Sequence, residues 1–302
     1  MNFFWIQFVP LMLVGIFLLL TLGVAIFGSK RMMRGRKNPI IGDLLRNPGE
    51  SLRPQVDDLT IDILGLASGL FVGPLFLYSH VITISYFTKK PPSHFLMVIM
   101  IVIGLAFVGY LAVRIIKLMG KRNKLRLGLD CEMAVGQELN QLMLHGCRVY
   151  HDFPADNFNI DHVVIGPAGV YAVETKGRAK PDKVLGADGV RVVYDGKSLQ
   201  FPGWSETEPI AQAKRQAQWL ANWLTSAVGQ PIVVKPALAL PGWYVDRKER
   251  DMVVFNSKNS GFLAKSLDGT VLPADLIQSI AHQVEQRCRT VEPFSYRKKK
   301  KE

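Results

Sequence analysis

Residues 159–176 read NIDHVVIGPAGVYAVETK, and the fold turns on this stretch. Two β-rich runs, 160–165 and 170–175, flank Gly166-Pro167-Ala168-Gly169, a turn signature. Side chains alternate along a strand, so Ala172, Glu174 and Lys176 share one face, and Tyr171, Val173 and Thr175 the other. A carboxylate and an ammonium two residues apart, ending an apolar strand, are costly to bury without purpose. With Pro167-Ala168 as a two-residue connection, paired positions sum to 335 and Asp161 opposes Glu174. Pro167 suits a type I or II turn better than the usual hairpin turns, and a bulge at Gly169 would shift that register by one. The count supports a clustered carboxylate pair and leaves its register open.

Working outward, residues 131–145 have a helical stripe at Val135, Leu139, Leu142 and Met143. Glu138 lies on the side of Val135 and Leu142, so a third carboxylate is expected at the same sheet edge. Residues 148–153 form a short strand, and 184–199, with Asp188-Gly189 and Asp195-Gly196, an inserted hairpin region. Residues 208–225 are helical, with Ile210, Ala213, Ala217, Leu220 and Leu224 on one stripe. Strands follow at 231–240 and 252–255, then a closing helix at 273–287. This alternation indicates an α/β domain over 127–294, with no internal repeats. Hard cations take oxygen ligands, and Mg²⁺ commonly uses one or two carboxylates with substrate phosphate and water. A lysine beside such a cation orients water or stabilises phosphate charge. Together these groups suit metal-assisted hydrolysis of a phosphodiester.

The stretch 159–176 closely resembles the nuclease-related domain, NERD, which is similar to the PD-(D/E)XK, restriction-endonuclease-like superfamily. Gly136-Gln137-Glu138 resembles the family's early Gly-x-Glu helix, and Pro209-Ile210-Ala211-Gln212 its later Pro-x-x-Gln helix. The resemblance covers about residues 131–228 and is specific as a set, because its elements occur in order. It implies a central mixed β-sheet flanked by helices. It implies that Asp161 and Glu174 hold Mg²⁺ or Mn²⁺, with the Thr175 carbonyl as an extra ligand. Lys176 would position or activate water, Glu138 support the metal site, and Gln212 steady Lys176 or the substrate. The sequence departs from many relatives after the lysine, where Gly177-Arg178 replaces a polar residue.

The remainder of the chain has a different composition. Of the net charge of +12 over 302 residues, +10 falls within 1–126, which holds 15 Lys and Arg against 5 Asp and Glu. The high pI therefore says little about what 127–294 binds. Apolar residues make up 48%, which excludes a disordered chain. Three unevenly spaced cysteines, Cys131, Cys147 and Cys288, argue against a disulfide framework or a cysteine-based zinc site.

Residues 3–27 and 95–113 contain no charge, and 63–87 only His80 as an ionisable group. Each run is long enough to cross a bilayer, so 1–126 reads as an anchor of three transmembrane helices, the middle one, with Gly65, Gly69, Gly73 and Pro74, being the least regular and the one expected to kink. The basic cluster follows the first apolar run, the wrong order for a secretory signal. Bases concentrate in the 28–60 loop and after Val113, which places both in the cytoplasm and the N-terminus outside. The stretch 42–59 is polar and turn-rich, shows no chemistry, and reads as a short cytoplasmic segment lying at the membrane surface.

Bland readings compete with several of these features. Glu174 and Lys176 also fit an exposed salt pair worth at most about 1 kcal/mol. His162 points to the opposite face from Asp161 and reads as a packed histidine. No cysteine has the spacing of a nucleophile–base pair with His145 or His151. Trp219 and Trp223 have the spacing to stack on bases, but packing is the favoured explanation. The basic tail, Arg297, Lys298, Lys299, Lys300 and Lys301, suits anionic lipid. The expectation is a membrane-anchored, metal-dependent nuclease acting on DNA, or RNA, at the cytoplasmic face. The alternative is a catalytically silent nuclease fold that binds nucleic acid or a protein there.

Overall fold

The computed structural model describes residues 9–32, 39–40, 42–181, 187–265 and 271–293. The chain divides into two compact units: 1–41 with 58–122 and 293–302, and 42–57 with 123–292.

The first unit is built on apolar helices. Helix α1 is Val9–Met32. Helix α2, Leu52–Thr88, carries Pro74 in its interior. Helix α3, His94–Asn140, contributes its first part. Stretches of all three are long and apolar enough to cross a membrane. Their apolar side chains are largely exposed, among them Leu19, Phe71 and Leu105. Small residues let α2 approach α3: a side chain at Gly73 would meet Phe107, and one at Gly69 would meet Leu111. Residues 114–130 offer no proline and only two glycines, so the helix expected at 131–145 begins far earlier, as the end of α3. A 3-10 turn, Gln141–His145, closes it.

The second unit is α/β. Its five-stranded mixed sheet contains β2 (Arg148–Pro154), β3 (Asn159–Gly166), β4 (Gly169–Thr175), β8 (Val234–Ala239) and β10 (Val253–Phe255). The order is β10-β8-β4-β3-β2. Strands β2, β3 and β4 form an antiparallel meander, while β8 lies parallel to both β4 and β10. The period of two divides the core between the faces. Val163, Ile165, Val170 and Ala172 pack on helix α4 (Glu208–Val228) and helix α5 (Ala274–Cys288). Val164, Tyr171 and Val173 pack on Val135, Leu139 and Leu142.

The hairpin region expected at 184–199 is larger than the turn signals indicated; its residues 184–186 lie outside the described ones. Strand β5 (Arg191–Tyr194), β6 (Leu199–Phe201), β7 (Trp204–Glu206) and β9 (Tyr244–Arg247) form a second sheet, ordered β7-β6-β5-β9. Strand β9 arrives from 50 residues downstream to pair in parallel with β5, a contact without a local signature.

The stretch 42–59 was expected to be a short segment lying at the membrane surface. Its residues 42–57 instead belong to the second unit. Strand β1 (Leu44–Leu45) pairs antiparallel with β11 (Arg289–Val291). Next to it, Arg46 Nε and Nη2 and the Ser51 N–H and hydroxyl all donate to the Asp152 carboxylate. Asp152 is 1% exposed and has a left-handed φ of 47°. The folded unit therefore starts well before residue 127, because a buried carboxylate on β2 needs donors that lie about 100 residues upstream. The basic tail 297–301 and residues 3–8 of the first apolar run lie outside the described residues.

Candidate active site

The β3–β4 hairpin has the register of a two-residue connection. Gly166 pairs with Gly169 and His162 with Val173, so paired positions sum to 335 without a bulge. Asp161 then sits at the level of Glu174, and its Oδ2 accepts from the Thr175 N–H at 2.6 Å. Glu174 is 2% exposed. Its Oε1 accepts from Lys176 Nζ at 2.5 Å, and its Oε2 from Gln216 Nε2 at 2.6 Å. The exposed-salt-pair reading is thereby excluded, since the carboxylate is buried and held from two sides. The Lys176 N–H donates to the Ala239 carbonyl, continuing the parallel ladder past β4.

The structure brings Asp161, Glu174, Thr175 and Lys176 together, but not Glu138 or Gln212. Glu138 is half-buried on α3, with no hydrogen bond or ion pair among the described residues. The α3 carboxylate that feels the charges of Glu174 and Lys176 is Glu132, six residues or about 9 Å earlier on the helix. The signal for it was present. Glu132 extends the stripe Val135–Leu139–Leu142 by one turn toward the N-terminus, so it points as those core residues do. Gln212 is half-buried, with no hydrogen-bond partner among the described residues, and Gln216, one turn later, takes the contact with Glu174. Gln216 sits on the buried stripe of α4 with Ile210, Ala213, Ala217 and Leu220, a polar residue in an apolar row.

This charge cluster is unbalanced. Burial, then the negative charges of Asp152 and Glu174, pushes the Glu132 carboxyl up to about 8. Burial, followed by Glu174 and Glu132, raises Asp161 well above the usual carboxylate range, against the Thr175 N–H and Lys176. Among the described residues, Glu132, Asp161 and Glu174 interact with Lys176, while the nearby Arg178 is paired with Glu206, so the site gains from added positive charge. The buried Gln216 Oε1 also has no hydrogen-bond donor among the described residues. Among the described residues no three His, Cys, Asp or Glu side chains converge as a complete metal cage. Two carboxylates and a backbone carbonyl still fit a hard cation that keeps water and substrate oxygen as its other ligands.

Behind the hairpin, on the opposite face from Glu174, runs a buried polar chain. Asn140 Oδ1 accepts from His151 Nε2, His151 Nδ1 contacts His162 Nδ1 at 2.9 Å, and His162 Nε2 meets Thr175 Oγ1 at 3.2 Å. Two neutral imidazoles satisfy this order in one direction, with the Thr175 hydroxyl donating to His162 and His162 Nδ1–H donating to His151. The packed-histidine reading of His162 therefore holds, with its polar atoms paired. Burial pushes His151 down to about 4 and His162 well below its ordinary value. A depressed histidine pKa means that the unfolded chain binds protons first, so stability is lost as pH falls below about 6.5. Wild type minus His151→Gln is expected to show this as a slope of about 1 kcal/mol per pH unit between pH 6.5 and 4. Denaturant titration at several pH values measures it, and parallel lines for the two proteins would refute it.

Three further groups find structural roles. Trp219 and Trp223 stack on each other and pack with Phe153 around the Arg287 guanidinium, which accounts for them as packing. Cys147 is buried, with its thiol pushed up by that burial, and His151 is engaged elsewhere, so no cysteine nucleophile forms there. Arg178, two residues beyond Lys176, is held in a bidentate pair by Glu206 at 2.8 and 2.6 Å.

No curated protein and no solved structure matches the chain. Residues 127–241 match the family model of the nuclease-related domain, NERD, and that segment contains Glu132, Asp161, Glu174, Thr175, Lys176 and Gln216.

Proposed function

We propose that the protein is a membrane-anchored, metal-dependent nuclease of PD-(D/E)XK type that hydrolyses DNA, in preference to RNA, at the cytoplasmic face. The observation that carries this reading is the Asp161–Glu174–Lys176 cluster at one end of β3 and β4, inside the segment that matches NERD. Asp161, Glu174 and the Thr175 carbonyl would hold Mg²⁺ or Mn²⁺. Such an ion polarises a phosphoryl oxygen and lowers the pKa of bound water. Lys176 keeps its ammonium at the Glu174 carboxylate, where it donates to an attacking water or to a phosphate oxygen. Gln216 fixes the far oxygen of Glu174, so the carboxylate cannot swing away from Lys176. Hydrolysis forms a bond from water oxygen to phosphorus and breaks one ester bond, and the leaving oxygen takes up a proton.

The three long apolar helices support the anchor. Residues 42–57 and 123–292 form one folded unit, which supports a reading in which the chain enters and leaves 58–122 on one side of the bilayer. An even number of crossings between them agrees with the basic flanks on that side and with an outward N-terminus. Near-neutral charge over 127–294 supports modest, metal-dependent nucleic-acid affinity. Anionic lipid at Arg297, Lys298, Lys299, Lys300 and Lys301 is proposed on charge alone.

The test uses the full chain in detergent or nanodiscs with plasmid, single-stranded DNA and RNA, under Mg²⁺, Mn²⁺ or EDTA. Cleavage that requires the metal and disappears in Asp161→Asn is the expected result. A folded chain that binds DNA and never cuts it would replace this reading with the silent binding module.

A further inference from the structure

We infer that the strap 42–57, which lies outside the segment matching NERD, is a positioning part of the candidate site: Arg46 and Ser51 lock it to Asp152, and its turn seats the face of α3 that carries Glu132. This inference deepens the nuclease reading and rests on the carboxylate cluster being its working site.

The strap docks on one face of the helix. Gly128, Leu129, Glu132 and Gly136 are spaced by one, three and four residues and so face it together. A side chain at Gly136 would stand 2.5 Å from Pro48 Cγ, and one at Gly128 would stand 3.5 Å from Leu52 Cδ1, so the glycines make room for the strap. Gly49 has φ of 69°, and a side chain there would collide with Leu129 and stand 3.6 Å from Glu132 Oε2. The strap's backbone is therefore the wall against which the Glu132 carboxylate lies. Its position is set at the other end. The Arg46 N–H donates to the Cys288 carbonyl at 3.1 Å, Arg46 Nη1 donates to Thr290 Oγ1, and the Asp152 carboxylate takes four hydrogen bonds from Arg46 and Ser51. Arg46 is also the sole cation paired with Asp152 among the described residues. Without its guanidinium the buried Asp152 carboxylate keeps only the two Ser51 donors and no countercharge, which loosens the strap's hold.

Hydrogen exchange on the full chain in detergent tests this. Arg46→Ala is expected to speed exchange about a hundredfold over 129–136 and 148–154, while 191–206 of the second sheet changes less than twofold. Arg46→Met with Asp152→Asn, which removes both charges together, is expected to restore most of the protection. Mn²⁺ binding, followed through the electron paramagnetic resonance of the free ion, separates positioning from bulk stability. Arg46→Ala is expected to weaken it about tenfold and Arg46→Lys to recover part of that loss. Unchanged exchange over 129–136, or unchanged Mn²⁺ affinity, overturns the inference. A wild-type chain that binds no Mn²⁺ overturns the metal reading instead, and exchange over 129–136 then decides the strap alone.

Discussion

Glu174→Gln is expected to abolish DNA cleavage, by about a thousandfold or more, while leaving the protein folded. The buried carboxylate is the hub of the cluster, touching Lys176 with one oxygen and Gln216 with the other. The amide has nearly the same shape but no charge, so it cannot hold a divalent cation beside Asp161 or keep an ammonium in place. A thousandfold loss corresponds to about 4 kcal/mol of transition-state stabilisation, reasonable for one ligand of a hard cation. The like-charge repulsion that raises Asp161 and Glu132 is relieved in the same step, so stability without metal is expected to hold or rise. Single-turnover cleavage together with a melting curve checks both halves. A folded variant that retains a tenth of wild-type activity would remove Glu174 from the chemistry.

The largest expected loss of stability is at Trp243. Its indole is fully buried in the core of the second sheet, edge-on to Phe201 at 5.0 Å and to Trp204 at 6.1 Å between ring centroids. Its Nε1–H donates to the Arg178 carbonyl at 3.1 Å, and its own carbonyl accepts from Asn256. Trp243→Ala opens a cavity of indole size and leaves a carbonyl without its donor, costing about 3–5 kcal/mol. For a unit of this size the melting temperature should fall by about 10 °C. Trp243→Phe keeps most of the volume and loses the hydrogen bond, so it should cost about 1–2 kcal/mol. A melting temperature for the alanine variant within 2 °C of wild type would contradict this account. Because the bond anchors the chain two residues past Lys176, the damage is also expected to loosen the site.

How much of this was legible beforehand differs from residue to residue. Asp161, Glu174, Thr175 and Lys176 lie in one continuous hairpin. A period of two and a two-residue connection are enough to put them on neighbouring strands at one level. Glu132 and Gln216 sit on helices whose distance from the hairpin depends on where each helix starts and how it crosses the sheet. The stripes at 135, 139 and 142 and at 213, 217 and 220 identify the inward faces. They do not tell which turn of the helix reaches the sheet edge. Glu138 lies less than two turns from Glu132, which feels the cluster's charge, and Gln212 one turn from Gln216, which makes the contact.

By itself, the sequence determined the apolar helices, the α/β alternation and the β3–β4 hairpin with its carboxylate pair, because each is encoded by neighbours within about 20 residues. Only the tertiary structure decided that β9 completes the second sheet, that Asn140, His151, His162 and Thr175 form one chain, and that Arg46 and Ser51 satisfy Asp152. A buried polar group must be paired, but its chemistry does not say from how far along the chain the partner comes. Asp152 announces that it needs donors; the fold alone supplies them from 101 and 106 residues away.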